Sequence, residues 1–129
     1  MRILSEYRIG TLSTIKGDQP FSRFMIFRNE GFVLHTISSK KTEKVQDIIK
    51  NPKVHILLGT SGHGKPFLDI TAIATIHDER DMKDHFWHEN FLKYLTGPDD
   101  PNYIVIRCEP KTIRLMNHPD LDRPFTLTF

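Results

Sequence analysis

Along most of the chain, apolar and polar residues alternate in short blocks separated by turn-forming residues. From Tyr7 to Ile15, Ile9, Leu12 and Ile15 are interleaved with Thr11, Ser13 and Thr14, a β-rich block that stops at Lys16-Gly17-Asp18. Pro20 to Arg28 carries Phe21, Phe24, Met25, Ile26 and Phe27, and Asn29-Glu30-Gly31 then turns the chain into Phe32-Val33-Leu34-His35-Thr36. The pattern predicts three strands joined by short turns, an antiparallel meander.

The period changes after Ser38-Ser39-Lys40-Lys41-Thr42. Val45, Ile48 and Ile49 recur at helical spacing until Asn51-Pro52, which predicts a short amphipathic helix with Thr42 as its N-cap. Val54–Leu58 reads as a buried strand, Ser61-Gly62-His63-Gly64 as a loop, and Phe67–His77 as a long strand. In that long strand Leu68, Ile70, Ala72, Ala74 and Ile76 share one covered face. A second helix is predicted from Asp78 to Leu95, with Met82, Phe86 and Phe91 inward, ending at Thr96-Gly97-Pro98. Tyr103–Cys108 and Thr112–Met116 follow as two more strands across Glu109-Pro110-Lys111. A mainly β chain with about six antiparallel strands and two helices predicts a small barrel with helices at its rim, not a doubly wound sheet or a helical bundle.

Composition narrows the function classes. The 129 residues, 38% hydrophobic and 26% charged, suit a single domain spanning 1–129. Eighteen Lys and Arg against sixteen Asp and Glu give a net charge of +2, too little for a nucleic-acid partner. The single cysteine, Cys108, excludes an internal disulfide and a CxxC metal knuckle. Met1 to Glu6 is too short and charged for a signal peptide, and no apolar run reaches membrane-spanning length; a cytoplasmic protein with no membrane partner is expected.

Several local motifs carry little chemistry. Gly59–Pro66 nearly spells a phosphate loop, but Pro66 lacks the hydroxyl needed for magnesium and a strand follows where a helix is required. His85 and His88, three apart beside Glu89, would share a helix face, yet no third ligand follows at metal spacing. Cys108 reads either as an activated thiol or as a buried small side chain.

One constellation has more to offer. Arg23, with Phe24, Met25 and Ile26, lies on the second strand; Ser38, Ser39, Thr42 and Lys44 lie where the first helix begins. If both reach the same end of the sheet, orphan helix N–H groups, the Thr42 hydroxyl and the cations Arg23 and Lys44 would form a cradle for a phosphate dianion, with Phe24, Met25 and Ile26 beside a flat ring. The same residues also read as a solvated lysine turn next to an ordinary apolar strand.

The order Arg23-x-Met25, Ser38-Ser39-x-x-Thr42-x-Lys44-Val45, Asn51-Pro52-Lys53-Val54, Phe86-Trp87 and Leu95 to Pro110 resembles the general stress protein 26 branch of the pyridoxamine 5'-phosphate oxidase-like, FMN-binding split-barrel proteins, from about Tyr7 to Met116. The resemblance implies a six-stranded antiparallel split β-barrel and a homodimer with FMN in two clefts at the subunit interface. It implies FMN phosphate ligands at Arg23, Thr42 and Lys44, a hydroxyl-bearing loop at Ser38 and Ser39, and a strand at Met25 and Ile26 whose backbone lies along the isoalloxazine. Arg28 matches a basic flavin contact of larger relatives. Trp87 matches an aromatic motif that closes the cleft from the partner subunit, or is a plain core tryptophan; Met116 stands where relatives carry a tryptophan near the flavin. The chain stops at Phe129 without the arginine and histidine segment of true pyridoxamine phosphate oxidases, so vitamin B6 oxidation is not expected. Three functions follow from the resemblance: an FMN-dependent oxidoreductase using NAD(P)H or another reduced partner on a small molecule, a non-catalytic flavin-binding protein, or a barrel holding haem or a deazaflavin.

Overall fold

The computed structural model describes residues 8–59, 64–119 and 125–129. Met1 to Glu6, Ser61 to His63 of the glycine loop, and Arg123-Pro124 lie outside the described residues. The elements are β1 (Arg8–Lys16), β2 (Gln19–Glu30), β3 (Val33–Ser39), α1 (Glu43–Lys50), β4 (Lys53–Leu58), β5 (Phe67–His77), α2 (Arg80–Phe86), a 3-10 helix (Glu89–Lys93), β6 (Tyr103–Met116) and β7 (Phe125–Thr128).

The strands pair antiparallel in the order β3-β2-β1-β4-β5-β6-β7, and an additional β3–β6 pairing closes the first six into a barrel. The β1-β2-β3 meander and the mainly β fold class are as the alternation predicted. The interior is filled by Leu12, Phe27, Leu34, Ile56, Ile70 and Ile104 among others, all at most 2% exposed. Val45 and Ile48 of α1 join that cluster and cover one end of the barrel, whereas Ile49 is 62% exposed despite its apolar character. Asp47 takes the covered position that Ile49 was expected to share.

The second half departs from the sequence pattern in three places. β6 is one strand of 14 residues where two were expected. Pro110, which cannot donate to a ladder, is absorbed by a bulge: Thr71 pairs with Thr112 and Ala72 with Pro110, leaving Lys111 as the extra residue. β7 pairs with Thr112–Leu115 of β6, adding a seventh strand that the pattern did not signal. The helix expected over 78–95 is broken, because Trp87 adopts extended backbone (φ −63, ψ 138) between α2 and the 3-10 helix. Phe86 and Phe91 lie five residues apart and would point about 140° apart on one helix. The break lets both pack with Ile37, Leu95, Tyr103 and Val105 in a second cluster. His85 and His88 therefore share no helix face: His85 Nε2 contacts Glu30 Oε1 at 2.6 Å, and the His88 ring meets Phe91 edge-on. Among the described residues no three His, Cys, Asp or Glu side chains gather as a metal site, and no helix is long and apolar enough to cross a membrane.

Two buried groups make measurable predictions. Cys108 is 1% exposed, and burial pushes its thiol up to about 12. Iodoacetamide at pH 8 should leave the native protein unmodified over a time in which the urea-unfolded chain is fully alkylated, as read by mass spectrometry. His35 is 6% exposed, stacks on Phe86 at 4.1 Å and has no partner for Nδ1; burial is the main cause lowering its pKa from 6.5 to about 4. The unfolded chain thus binds a proton that the folded one refuses. This contribution to stability is complete above pH 6.5 and is lost as pH falls toward 4, on the order of 2–3 kcal/mol. Urea midpoints measured across that window should show the slope, and His35→Leu should flatten it.

Candidate functional site: a cationic cleft where the barrel splits

β2 pairs with β1 along the whole of β1, from Arg8↔Phe27 to Lys16↔Gln19, but with β3 only through Arg28↔His35 to Glu30↔Val33. β3 pairs with β6 all along Leu34–Ser39 and continues on β6 alone after its pairing with β2 ends at His35, with Ser38 opposite Ile104 and Ser39 opposite Tyr103. One last tie, Thr36 Oγ1 donating to the Ile26 carbonyl at 2.8 Å, spans the divergence. The edge of β2 from Phe24 toward its start is left without a β3 partner, and a cavity of about 620 Å³ fills the gap.

Eight of the sequence-identified residues meet there: Arg23, Phe24, Met25 and Ile26 from β2, Ser38 and Ser39 from the end of β3, Thr42 before α1, and Lys44 in its first turn. The loop is held by its own hydroxyls. Thr42 Oγ1 donates to the Ser39 carbonyl (2.9 Å) and lies 3.2 Å from Ser38 Oγ, while Ser39 Oγ accepts from the Lys41 N–H at 3.2 Å. Thr42 thus occupies the N-cap position without capping, and among the described residues no side chain accepts from the first N–H groups of α1.

The electrostatics are asymmetric. Arg23 Nη1 donates to Thr14 Oγ1 (2.7 Å) and to the carbonyls of Phe21 (3.2 Å) and Leu12 (3.3 Å), all uncharged acceptors. Burial pushes its guanidinium below the usual arginine range, partly offset by Asp47. Lys44 is lowered first by burial and then by the positive charge of Arg23. Among the described residues no carboxylate lies within ion-pair distance of either group. Arg23 and Lys44 are thus two half-buried cations lining one cavity, with Lys44 disfavoured by the charge of Arg23.

The other side of the cavity is apolar. Ile9, Ile37, Phe91, Tyr94 and Leu95 line it, and none of them was expected at the site from the sequence. Ile9, Phe24 and Tyr94 are 67%, 77% and 76% exposed, a large apolar collar at the mouth. The segment carrying Phe91, Tyr94 and Leu95 follows the backbone break at Trp87.

Trp87 and Met116 do not line this cavity. Trp87 packs on Tyr103 (5.5 Å between ring centroids) and Phe91 (6.3 Å), and Met116 sits opposite Phe67 at the far end of β6. Arg28 is also elsewhere: its Nη1 donates to the His85 carbonyl at 3.0 Å, and its guanidinium lies 5.5 Å from the centre of the Phe86 ring.

The donor set suits a phosphate monoester attached to a flat, partly apolar ring, as in FMN. A dianion has two cations, hydroxyls and open helix N–H groups at one end, and a planar system has an unpaired strand edge and apolar walls at the other.

Known proteins agree in fold and sequence. The chain is 37% identical over 117 residues to General stress protein 26 of Bacillus subtilis (strain 168), covering 89% of this chain and 84% of that one. It superposes on the General Stress Protein 26 of Bacillus anthracis str. Sterne with a TM-score of 0.89 at 34% identity, covering 99% of this chain and 94% of the other. At lower identity the same barrel occurs in an F420 reductase (TM-score 0.70, 22%, covering 87% and 93%) and a heme-binding protein from Mycobacterium smegmatis (0.77, 14%, covering 98% and 55%). The family model for pyridoxamine 5'-phosphate oxidase matches residues 1–117, and with that match the chain belongs to the pyridoxamine 5'-phosphate oxidase family.

Proposed function

We propose that this chain binds FMN in the split of the barrel and acts as an FMN-dependent oxidoreductase on a small molecule, with NAD(P)H or another reduced partner as donor. The observation that carries the reading is the pair Arg23 and Lys44: two half-buried cations lining one cavity with no carboxylate within ion-pair distance among the described residues. When bound, FMN supplies two-electron redox chemistry. The chain's own task is to bind and orient. Arg23, Lys44 and the hydroxyls of Ser38, Ser39 and Thr42 hold the phosphate; the β2 edge at Phe24, Met25 and Ile26 aligns the ring; Phe91 and Leu95 exclude water. No lining residue is a carboxylate, histidine or cysteine; the proton-carrying side chains on the described wall are Lys44 and Tyr94, beside Arg23.

The exposed collar of Ile9, Phe24 and Tyr94 supports the second half of the proposal, a homodimer in which a copy of the chain covers each mouth. Trp87 and Met116, away from their own cavity, remain available to a partner's. Haem needs an axial ligand, and the cavity wall offers Met25 and Tyr94 but no His or Cys, which favours a flavin.

Purified protein mixed with FMN and passed through a desalting and sizing column should emerge yellow at the mass of a dimer and bleach on adding NAD(P)H. Tight FMN that no donor reduces would leave a non-catalytic flavin protein. A haem or deazaflavin spectrum from the purified material, with no uptake of FMN, would overturn the assignment.

A further inference from the structure

We infer that Thr14, which does not line the cavity, is a positioning residue that aims the Arg23 guanidinium at the ligand's phosphate. The inference rests on the FMN reading above and adds to it a residue outside the cavity wall.

Thr14 lies on β1 in the inward-facing series Gly10, Leu12, Thr14, and it is 0% exposed. A hydroxyl in a barrel interior is costly unless bonded, and Val would fill the same shape without a polar atom. In this structure the hydroxyl has a specific task. Arg23 is the cross-strand partner of Leu12, so Thr14 is its diagonal neighbour on the same face. Its Oγ1 accepts from Arg23 Nη1 at 2.7 Å, the shortest of the three contacts to that nitrogen.

All three acceptors take Nη1. The barrel side of the guanidinium is tied down, while Nη2 and Nε have no acceptor among the described residues and remain for the cavity. The buried carboxylate of Asp47 adds attraction from the α1 side without coming within ion-pair distance. An arginine side chain is otherwise free in several torsions, and fixing it before the ligand arrives removes that ordering cost from binding. The main-chain carbonyls of Leu12 and Phe21 persist in any variant, so Thr14 is the part of this anchor that sequence can alter.

The test compares FMN with riboflavin, which lacks the phosphate, by titration on the wild type, Thr14→Val and Thr14→Ser. Thr14→Val should weaken FMN by about tenfold, leave riboflavin unchanged, and leave thermal stability equal or higher; Thr14→Ser should keep the wild-type preference. Equal weakening of both ligands, or unchanged FMN affinity in Thr14→Val, would overturn the positioning role while leaving the phosphate site intact. A wild type that binds both ligands equally would instead remove the phosphate reading, and this inference with it.

Discussion

Replacing Arg23 and Lys44 together by Ala should lower FMN affinity by roughly a hundredfold to ten-thousandfold, the range expected for two charge-assisted phosphate contacts. In the ligand-free protein Lys44→Ala should leave stability equal or higher, whereas Arg23→Ala also strips the buried Thr14 hydroxyl of its donor and should cost about 1 kcal/mol. Each cation is held below its usual range by burial, and Lys44 also by its neighbour, so truncation relieves an unfavourable arrangement that only an anion corrects. Single variants should show coupling: once one cation is gone, the other is easier to keep charged, and the two losses will not simply add. Calorimetric titration gives the affinities, and thermal melts with and without FMN separate the large loss in the bound protein from the small change in the free one. Retained affinity in the double variant would mean that the phosphate lies elsewhere.

Gly10→Ala should destabilise the fold by about 3 kcal/mol or more, lowering the melting temperature by roughly 10 °C. Gly10 lies in β1 between Met25 of β2 and Leu58 of β4. A Cβ there would stand 2.4 Å from the Leu57 carbonyl oxygen, 2.5 Å from Leu58 Cδ2 and 3.3 Å from Phe27 Cδ2. The leucine methyl can rotate away; the carbonyl is fixed in the β1–β4 ladder and the strands must part. Gly31→Ala in the β2–β3 turn is the control. A Cβ there meets nothing within 4 Å, and only the left-handed φ of +59° opposes it, at about 1–2 kcal/mol. Urea unfolding of the two variants separates close backbone approach from dihedral strain.

The sequence revealed what depends on local chemistry. Alternation located β1 to β5, and Lys16-Gly17-Asp18 marked a turn in which Gly17 has φ +64°. For the cationic half of the cleft, the residues alone left Arg23 and the Ser38–Lys44 loop open between a phosphate cradle and a solvated lysine turn; the family resemblance selected the cradle, and the structure brings these residues to one cavity. The apolar half was not legible. Phe91, Tyr94 and Leu95 reach the cavity through a backbone break whose cause is tertiary, the simultaneous burial of Phe86 and Phe91 against Tyr103 and Val105. Pro110 suggested a strand end, because a proline that a bulge accommodates looks in sequence like one that ends a strand. Thr14 looked like one more β-branched strand residue, since what distinguishes it is a contact across to Arg23. Gly10 gave no signal either, because its closeness to the Leu57 carbonyl exists only after β1 and β4 pair.

The central claim, that a dianionic phosphate rests on Arg23 and Lys44, is tested most directly by following the phosphorus resonance of bound FMN with pH. A free phosphate monoester takes up its second proton near pH 6. Held between two half-buried cations, the bound phosphate should stay dianionic and its resonance should not move between pH 7.5 and about 5. A bound resonance that shifts through the same midpoint as free FMN would mean a phosphate exposed to water, and would contradict the account.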